Sequence, residues 1–255
     1  MTGHLIAHLT DCHLGQRLVM GRDIDNDKMR YDPVSGEHEQ HLRRVLDDIL
    51  RKGIKHVVFG GDIGARDTAG GFFELLKGYP FTLSVVAGNH DTYRDIVPHW
   101  RADAEPVAGK LCYSHRDGPW TFIVLDTSDN TAGEVQRMWL KDQLADATRV
   151  ALFLHHPVLD IETPIDRAGA ALRDRTELKD ILAAAACDIS VFCGHYHMID
   201  EAQEGHIRQF VSPATSYQIV KRAKSLQVDK TTFGYRILNV SDREIRTEAV
   251  LLTEA

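Results

Sequence analysis

Short apolar runs that stop at a carboxylate, a histidine or a glycine recur along this chain. Between them, apolar residues fall three and four apart. The first run, 4–11, predicts a strand ending in Asp11-Cys12-His13. Residues two apart in an extended chain share a face, so Asp11 and His13 are expected to point together while Cys12 packs behind them. Leu42, Val45, Leu46, Ile49 and Leu50 form the apolar stripe of a helix over 37–52, with Ser35 as its cap, acidic Glu37 and Glu39 in its first turn, and Gly53 at its end. The next run, Val57-Val58-Phe59, leads into Gly60-Gly61-Asp62. A short helix near 69–77 and a strand over 81–87 follow, the latter running into Gly88-Asn89-His90-Asp91.

The alternation continues with a strand over 121–126 and a helix over 134–145, with Val135, Met138, Trp139 and Leu144 expected inward. A strand over 150–154 ends in His155-His156-Pro157. A helix over 175–186 carries the stripe Leu178, Ile181, Leu182 and Ala185, and a strand over 189–193 ends in Gly194-His195-Tyr196-His197. Strands are expected at 206–212, 215–220, 232–240 and 244–251. Alternating strands and helices followed by strands alone predict an α/β fold of two stacked sheets with helices outside. No linker, repeat or low-complexity segment divides residues 1–255, so one domain is expected.

One stretch stands apart. Residues 14–36 are polar and long for a connection, as expected of a loop that is either functional or disordered. Asp23-Ile24-Asp25-Asn26-Asp27 hints at a calcium loop, but Lys28 stands where that loop needs glycine and Val34 where it needs glutamate. Arg17, Arg22, Lys28 and Arg30 can reach an anion, although solvated loop charges are the simpler account. His38 and His41 are one residue short of the HExxH zinc spacing and are expected on an exposed first turn.

Composition narrows the function classes. The formal charge of −7, with no basic run, argues against a protein that grips a nucleic acid polymer. The four cysteines show neither CxxC nor scaffold spacing, as expected of packed thiols in a reducing compartment. The first twenty residues carry no basic-then-apolar leader pattern, and no stretch has the ~18 apolar residues of a membrane span. A cytoplasmic protein without a membrane partner is the expectation, with homo-oligomerisation left open. There is no GxSxG elbow and no phosphate-binding GxxxxGK[ST] loop.

The fourteen histidines matter through their positions. Asp11 with His13, Asp62, Asn89, His155, and His195 with His197 all stand at strand ends, where ligands gather in open α/β sheets. Nitrogen and oxygen donors of this kind suit Fe, Mn, Zn or Co rather than a thiolate or magnesium-only site.

In this respect the chain resembles the calcineurin-like metallophosphoesterases, marked in order by D-x-H, G-D, G-N-H-D/E, a histidine and G-H-x-H. The resemblance spans roughly 5–215. It implies a four-layer α/β/β/α sandwich, two stacked mixed β-sheets flanked by helices, with a binuclear centre on one sheet edge. It makes Asp11, His13 and His197 ligands of one metal and Asn89, His155 and His195 ligands of the other, with Asp62 bridging. His155 is preferred to His156 because it stands two residues before Pro157.

The cofactors implied are two divalent or trivalent transition-metal ions, Mn or Fe favoured. His90 is the implied acid toward the leaving alcohol, with Asp91 orienting it. The Gly-Asn-His-Asp form and Val211-Ser212-Pro213-Ala214-Thr215-Ser216 look like the bacterial class III cyclic nucleotide phosphodiesterases and the glycerophosphodiesterases. The implied reaction is hydrolysis of a small phosphodiester by a metal-activated hydroxide. A phosphomonoesterase with the same centre is the alternative, and a non-catalytic metal-binding scaffold a remoter one.

Overall fold

The computed structural model describes residues 3–19, 30–34, 36–102 and 106–254, the side chain of Arg30 excepted. Among them, two mixed sheets carry the fold. The first has the strand order Ile245–Thr253, Thr232–Val240, His4–Leu9, His56–Phe59, Thr82–Val85. Its last three strands run parallel, and the two C-terminal strands are antiparallel additions beside His4–Leu9. The second sheet is ordered Asp200–Glu204, Ile207–Val211, Asp188–Cys193, Arg149–Phe153, Trp120–Val124, Tyr113–Asp117. Its four central strands are parallel and its two edges antiparallel.

Period-two side chains explain the layering. Ile6 faces the space between the sheets while Ala7 and Leu9 face outward, and Val58 lies between Val57 and Phe59 in the same way. Ala151 and Phe153 point inward, Val150 and Leu152 outward. The inward set, with Phe192, Phe210, Trp120, Phe122 and Leu238, forms one apolar layer. The outward sets form two more, one under helices Glu37–Arg51 and Ala69–Lys77, the other under Gly133–Ala145 and Arg175–Ala183. Helices thus flank two stacked sheets, as expected. No helix of the described residues is long and apolar enough to cross a membrane.

Several local expectations need correction. The stripe of the first helix is His38, His41, Leu42, Val45, Leu46 and Ile49, so its two histidines are buried rather than exposed. Leu50 is 45% exposed, and Asp48 is buried, accepting a hydrogen bond from the Tyr235 hydroxyl at 2.7 Å. The helix begins after Gly36 without a side-chain cap, and Ser35 lies outside the described residues. In Gly133–Ala145 the inward stripe is Gln136, Leu140 and Leu144, while Val135 and Met138 are exposed and Trp139 is half-buried. Gln136 is buried because its amide donates to the carbonyls of Asp126 and Ala132 and accepts from Asp126 N–H. A satisfied glutamine in the apolar stripe hides the true helical face from a hydrophobicity pattern.

The polar stretch 14–36 contains a small hairpin, Gln16–Val19 paired with Arg30–Pro33. Arg17 is exposed on it; Arg22, Lys28 and the residues 23–27 of the calcium-like run lie outside the described residues. Edge strands Tyr113–Asp117 and Asp200–Glu204 were not expected, because their exposed, charged faces lack apolar alternation.

The layer between the sheets holds them in register, and its loss is measurable. Phe192→Ala should cost about 3–5 kcal/mol in urea unfolding of the metal-free protein, whereas Met138→Ala on the exposed helix face should stay within about 0.5 kcal/mol.

Candidate metal centre

The strand ends converge. Beyond Leu9 the chain runs beside the Gly60–Ile63 turn, with Asp11 N–H donating to the Gly61 carbonyl at 2.9 Å and Cys12 N–H to that of Asp62 at 2.9 Å. From the second sheet, Gly194 N–H donates to the His155 carbonyl at 3.0 Å, and His195 N–H donates to Oδ2 of Asp11 at 3.1 Å. The last contact ties the two sheets together at the site.

The backbone is left-handed at Asp11, His13, Asp62, His195 and His197, with φ between 44° and 66°. Asp11 and His13 therefore share a direction through a tight turn, not through the extended backbone that alternation implied. Such conformations are costly for residues with a Cβ and gather where function demands them. Glycine is needed where chains cross closely. A Cβ on Gly61, whose φ is +98°, would stand 2.5 Å from the Gly88 nitrogen, and one on Gly88 2.2 Å from Oδ1 of Asp62.

The side chains form one buried cluster. Nε2 of His197 lies 3.3 Å from Oδ1 of Asp11, and Nε2 of His13 3.6 Å from Oδ2 of Asp62. Nε2 of His155 lies 3.2 Å from Oδ2 of Asp62 and 3.8 Å from Oδ1 of Asp11, and the Nε2 atoms of His13 and His197 are 3.0 Å apart. Three overlapping groups can each hold an ion: Asp11, His13 and His197; His13, Asp62 and His90; Asp62, His155 and His195. Asn89 and His90 stand on the wall of a cavity of about 260 Å³ shared with Asp62, His195 and His197. Leu18, Tyr31, Ile165, Tyr217 and Ile219 complete its lining.

Each imidazole is oriented by its other nitrogen. His155 Nδ1 donates to the Gly60 carbonyl at 2.9 Å, His197 Nδ1 to Tyr217 at 3.0 Å, and His195 Nε2 to Ala170 at 2.8 Å. Carbonyl acceptors of this kind fix the tautomer that leaves a lone pair for a cation. The neighbouring His156 has both nitrogens engaged, Nδ1 with Thr127 Oγ1 and Nε2 with Asn130 Oδ1, each at 2.9 Å.

Two observations fit this cluster to metal ions. Buried polar atoms nearly always have partners. Oδ1 of Asp11, Oδ1 of Asn89 and Nε2 of His155 have no hydrogen-bond partner, and all three belong to this cluster. The field also calls for positive charge. Burial alone would strip the proton from His155, but Asp62 and Asp11 outweigh it and hold the pKa up to about 10. By contrast, burial and the charge on His155 lower His195 to about 4. Donors with this field and these unmet atoms are consistent with a dimetal centre.

The matching family model is that of the calcineurin-like phosphoesterases, over residues 4–198. The chain belongs to this family. It is 28% identical to the 3′,5′-cyclic adenosine monophosphate phosphodiesterase of Pseudomonas aeruginosa, covering 93% of this chain and 86% of that one. It is 25% identical to a glycerophosphodiester phosphodiesterase of Enterobacter lignolyticus, over 84% and 78% of the two chains. In fold it is similar to a dimetal phosphatase of Danio rerio, with a TM-score of 0.72 and 12% identity over all of both chains.

Within this phosphoesterase, one expected role changes. The Asp91 carboxylate does not orient His90. It accepts from the main-chain N–H groups of Asp62 at 2.7 Å, Ile63 at 2.9 Å and Gly88 at 2.9 Å. It clamps the two glycine turns together. Burial and the charge on Asp62 push its pKa up to about 7. Cys12, fully buried, packs away from the cluster as expected.

Sequence reasoning missed the supports. His38 donates to the His13 carbonyl at 2.8 Å and His41 to that of Ser216 at 2.8 Å. Their place in the stripe that continues through Leu42 and Val45 was the available signal. Tyr31, Tyr217 and Gln16 carried none, being single polar or aromatic residues with no periodic pattern around them. The clamp predicts that Asp91→Ala, leaving three buried amides unpaired, destabilises metal-free protein by more than about 2 kcal/mol. Urea unfolding without metal separates this loss from any change in ion affinity.

Proposed function

We propose that this phosphoesterase hydrolyses small phosphodiesters, of the cyclic nucleotide or glycerophosphodiester type, at a pair of transition-metal ions. Asp11, His13 and His197 would hold one ion and Asn89, His155 and His195 the other, with Asp62 between them. The observation that carries the reading is the set of unpartnered buried atoms on Asp11 and His155, inside the donor groups, and on Asn89, on the wall of the adjoining cavity. The nitrogen and oxygen donors favour Fe, Mn, Zn or Co, with Mn or Fe first. Two such ions supply Lewis acidity and a nucleophilic water near neutral pH.

The chain's own residues supply the rest. His90 stands on the cavity wall beside Asn89, where its ring can pass a proton to the leaving alcohol. Its main-chain N–H donates to Oδ1 of Asp62 at 2.8 Å, which keeps that carboxylate turned into the site. Leu18, Ile165 and Ile219 offer an apolar wall to an ester arm. No lysine or arginine among the described residues lines this cavity, which suits a singly charged diester better than a doubly charged monoester.

The same ions could serve a monoester, which is the alternative reading. The names of the relatives favour the diester, and the charge of −7 disfavours a nucleic acid polymer. The whole chain is proposed to act as one unit in a reducing, cytoplasmic setting, in keeping with its four free, buried cysteines.

Protein stripped of metal and reloaded with Mn²⁺ should cleave bis(p-nitrophenyl) phosphate faster than p-nitrophenyl phosphate. A monoester preference would put the monoesterase first; no turnover of either with both metals bound would count against the diesterase reading and put the non-catalytic scaffold beside it. Asp62→Ala and Asn89→Ala should lose metal, read by elemental analysis, together with nearly all turnover. His90→Ala should keep its metal and lose about 10²–10⁴-fold in rate; loss of metal there would reassign His90 as a ligand.

A further inference from the structure

Gln16 stands at the start of the hairpin, immediately after the Asp11-Cys12-His13 turn. Its main-chain N–H donates to the His13 carbonyl at 3.3 Å, which folds the side chain back over the cluster. Nε2 of its carboxamide, as placed, lies 3.0 Å from Nδ1 of His13 and 3.0 Å from Nδ1 of His90. Tyr31, from the opposite strand of the hairpin, stacks on His13 at 5.4 Å and meets His90 edge-on at 4.6 Å. A single amide therefore joins a candidate ligand to the candidate proton donor, and the hairpin packs both rings from one side.

Chemistry decides which end of the amide faces the rings. A carboxamide has an accepting oxygen and a donating nitrogen, exchanged by a half-turn. Nε2 of His13 faces Asp62 and Nε2 of His197, the direction of the cluster. A ring nitrogen that offers its lone pair to a cation carries no proton, so the proton of His13 sits on Nδ1. An Nδ1–H group can meet only an acceptor, which turns Oε1 of Gln16 toward it. Nδ1 of His90 approaches the same end of the amide and must donate to it as well. The two lone pairs of one carbonyl oxygen are then both used.

We propose that Gln16 is a positioning residue whose Oε1 accepts hydrogen bonds from Nδ1–H of both His13 and His90. One side chain thereby sets the tautomer of the ligand and holds His90 with Nε2 toward the cavity. The part concerning catalysis rests on the role proposed above for His90. In that step the oxygen of the attacking hydroxide bonds to phosphorus, the phosphorus–ester oxygen bond breaks, and the proton on Nε2 of His90 passes to the departing oxygen. The bond from Nδ1 to Gln16 persists through the step, so the ring keeps its orientation.

The test pairs a spectroscopic readout with kinetics. Two-bond ¹H–¹⁵N spectra of Zn²⁺-loaded protein report the tautomers of His13 and His90 in wild type, Gln16→Ala and Gln16→Glu. In parallel, kcat is measured on bis(p-nitrophenyl) phosphate, whose leaving group needs little protonation, and on diphenyl phosphate, whose leaving group needs more. Wild type should show Nδ1–H at both histidines. Gln16→Ala should lose the single tautomer at His90, and its kcat on diphenyl phosphate should fall roughly tenfold further than on the nitrophenyl ester. Gln16→Glu, which keeps an acceptor, should recover both. An Nδ1 without its proton at His90 in wild type, or an alanine variant with unchanged spectra and an unchanged kcat ratio, would overturn the proposal. A wild type that cleaves neither ester would count against the diesterase reading alone, and the spectra would still decide the placement of Gln16.

Discussion

Two carboxylates, Asp11 and Asp62, are buried side by side where the sheets meet, at 0% and 2% exposure. Like charges so placed repel strongly, and the interior offers too little dielectric screening to weaken the effect. Only positive charge gathered between them makes the arrangement tenable. The ring of His13, His155, His195 and His197 is built around that demand, with the unmet atoms of Asp11 and His155 within it. The phosphoesterase fold can be understood as the frame that holds this repulsion in place.

That frame works through main chain more than side chain. Asp91 binds three amides of the two glycine turns, and His195 N–H binds Asp11 across the sheets. The histidines are steered by carbonyls of Gly60, Ala170 and Tyr217, each on a different segment. Left-handed backbone at five of the cluster residues is maintained because these bonds leave no relaxed alternative that also satisfies the turn. The apolar layer between the sheets, from Ile6 to Phe192 and Phe210, keeps the two sets of strand ends opposite one another.

The cavity beside the cluster has two characters. Its polar wall belongs to the strand ends, while Tyr31, Tyr217 and the aliphatic residues come from the hairpin, the segment around Ile165 and the late strand Gln218–Ile219. Gln16 bridges the two, because it belongs to the hairpin and touches the histidines.

By itself, the order of residues determined the layered α/β architecture and the members of the cluster. Strands such as Val57–Phe59 and Val191–Cys193 are short, apolar and followed at once by glycine and a polar donor, and this local pattern survives without any knowledge of packing. Only the tertiary structure decided which polar groups serve the site directly and which support it. Asp91 reads in sequence as a neighbour of His90, yet its carboxylate faces the amides of a turn 29 residues earlier. His38 reads as surface, yet it is buried because the distant main-chain carbonyl of His13 accepts its N–H group. A hydrogen bond between segments far apart in the chain leaves no periodic trace in either, so polarity at one position carries no record of the partner that will satisfy it.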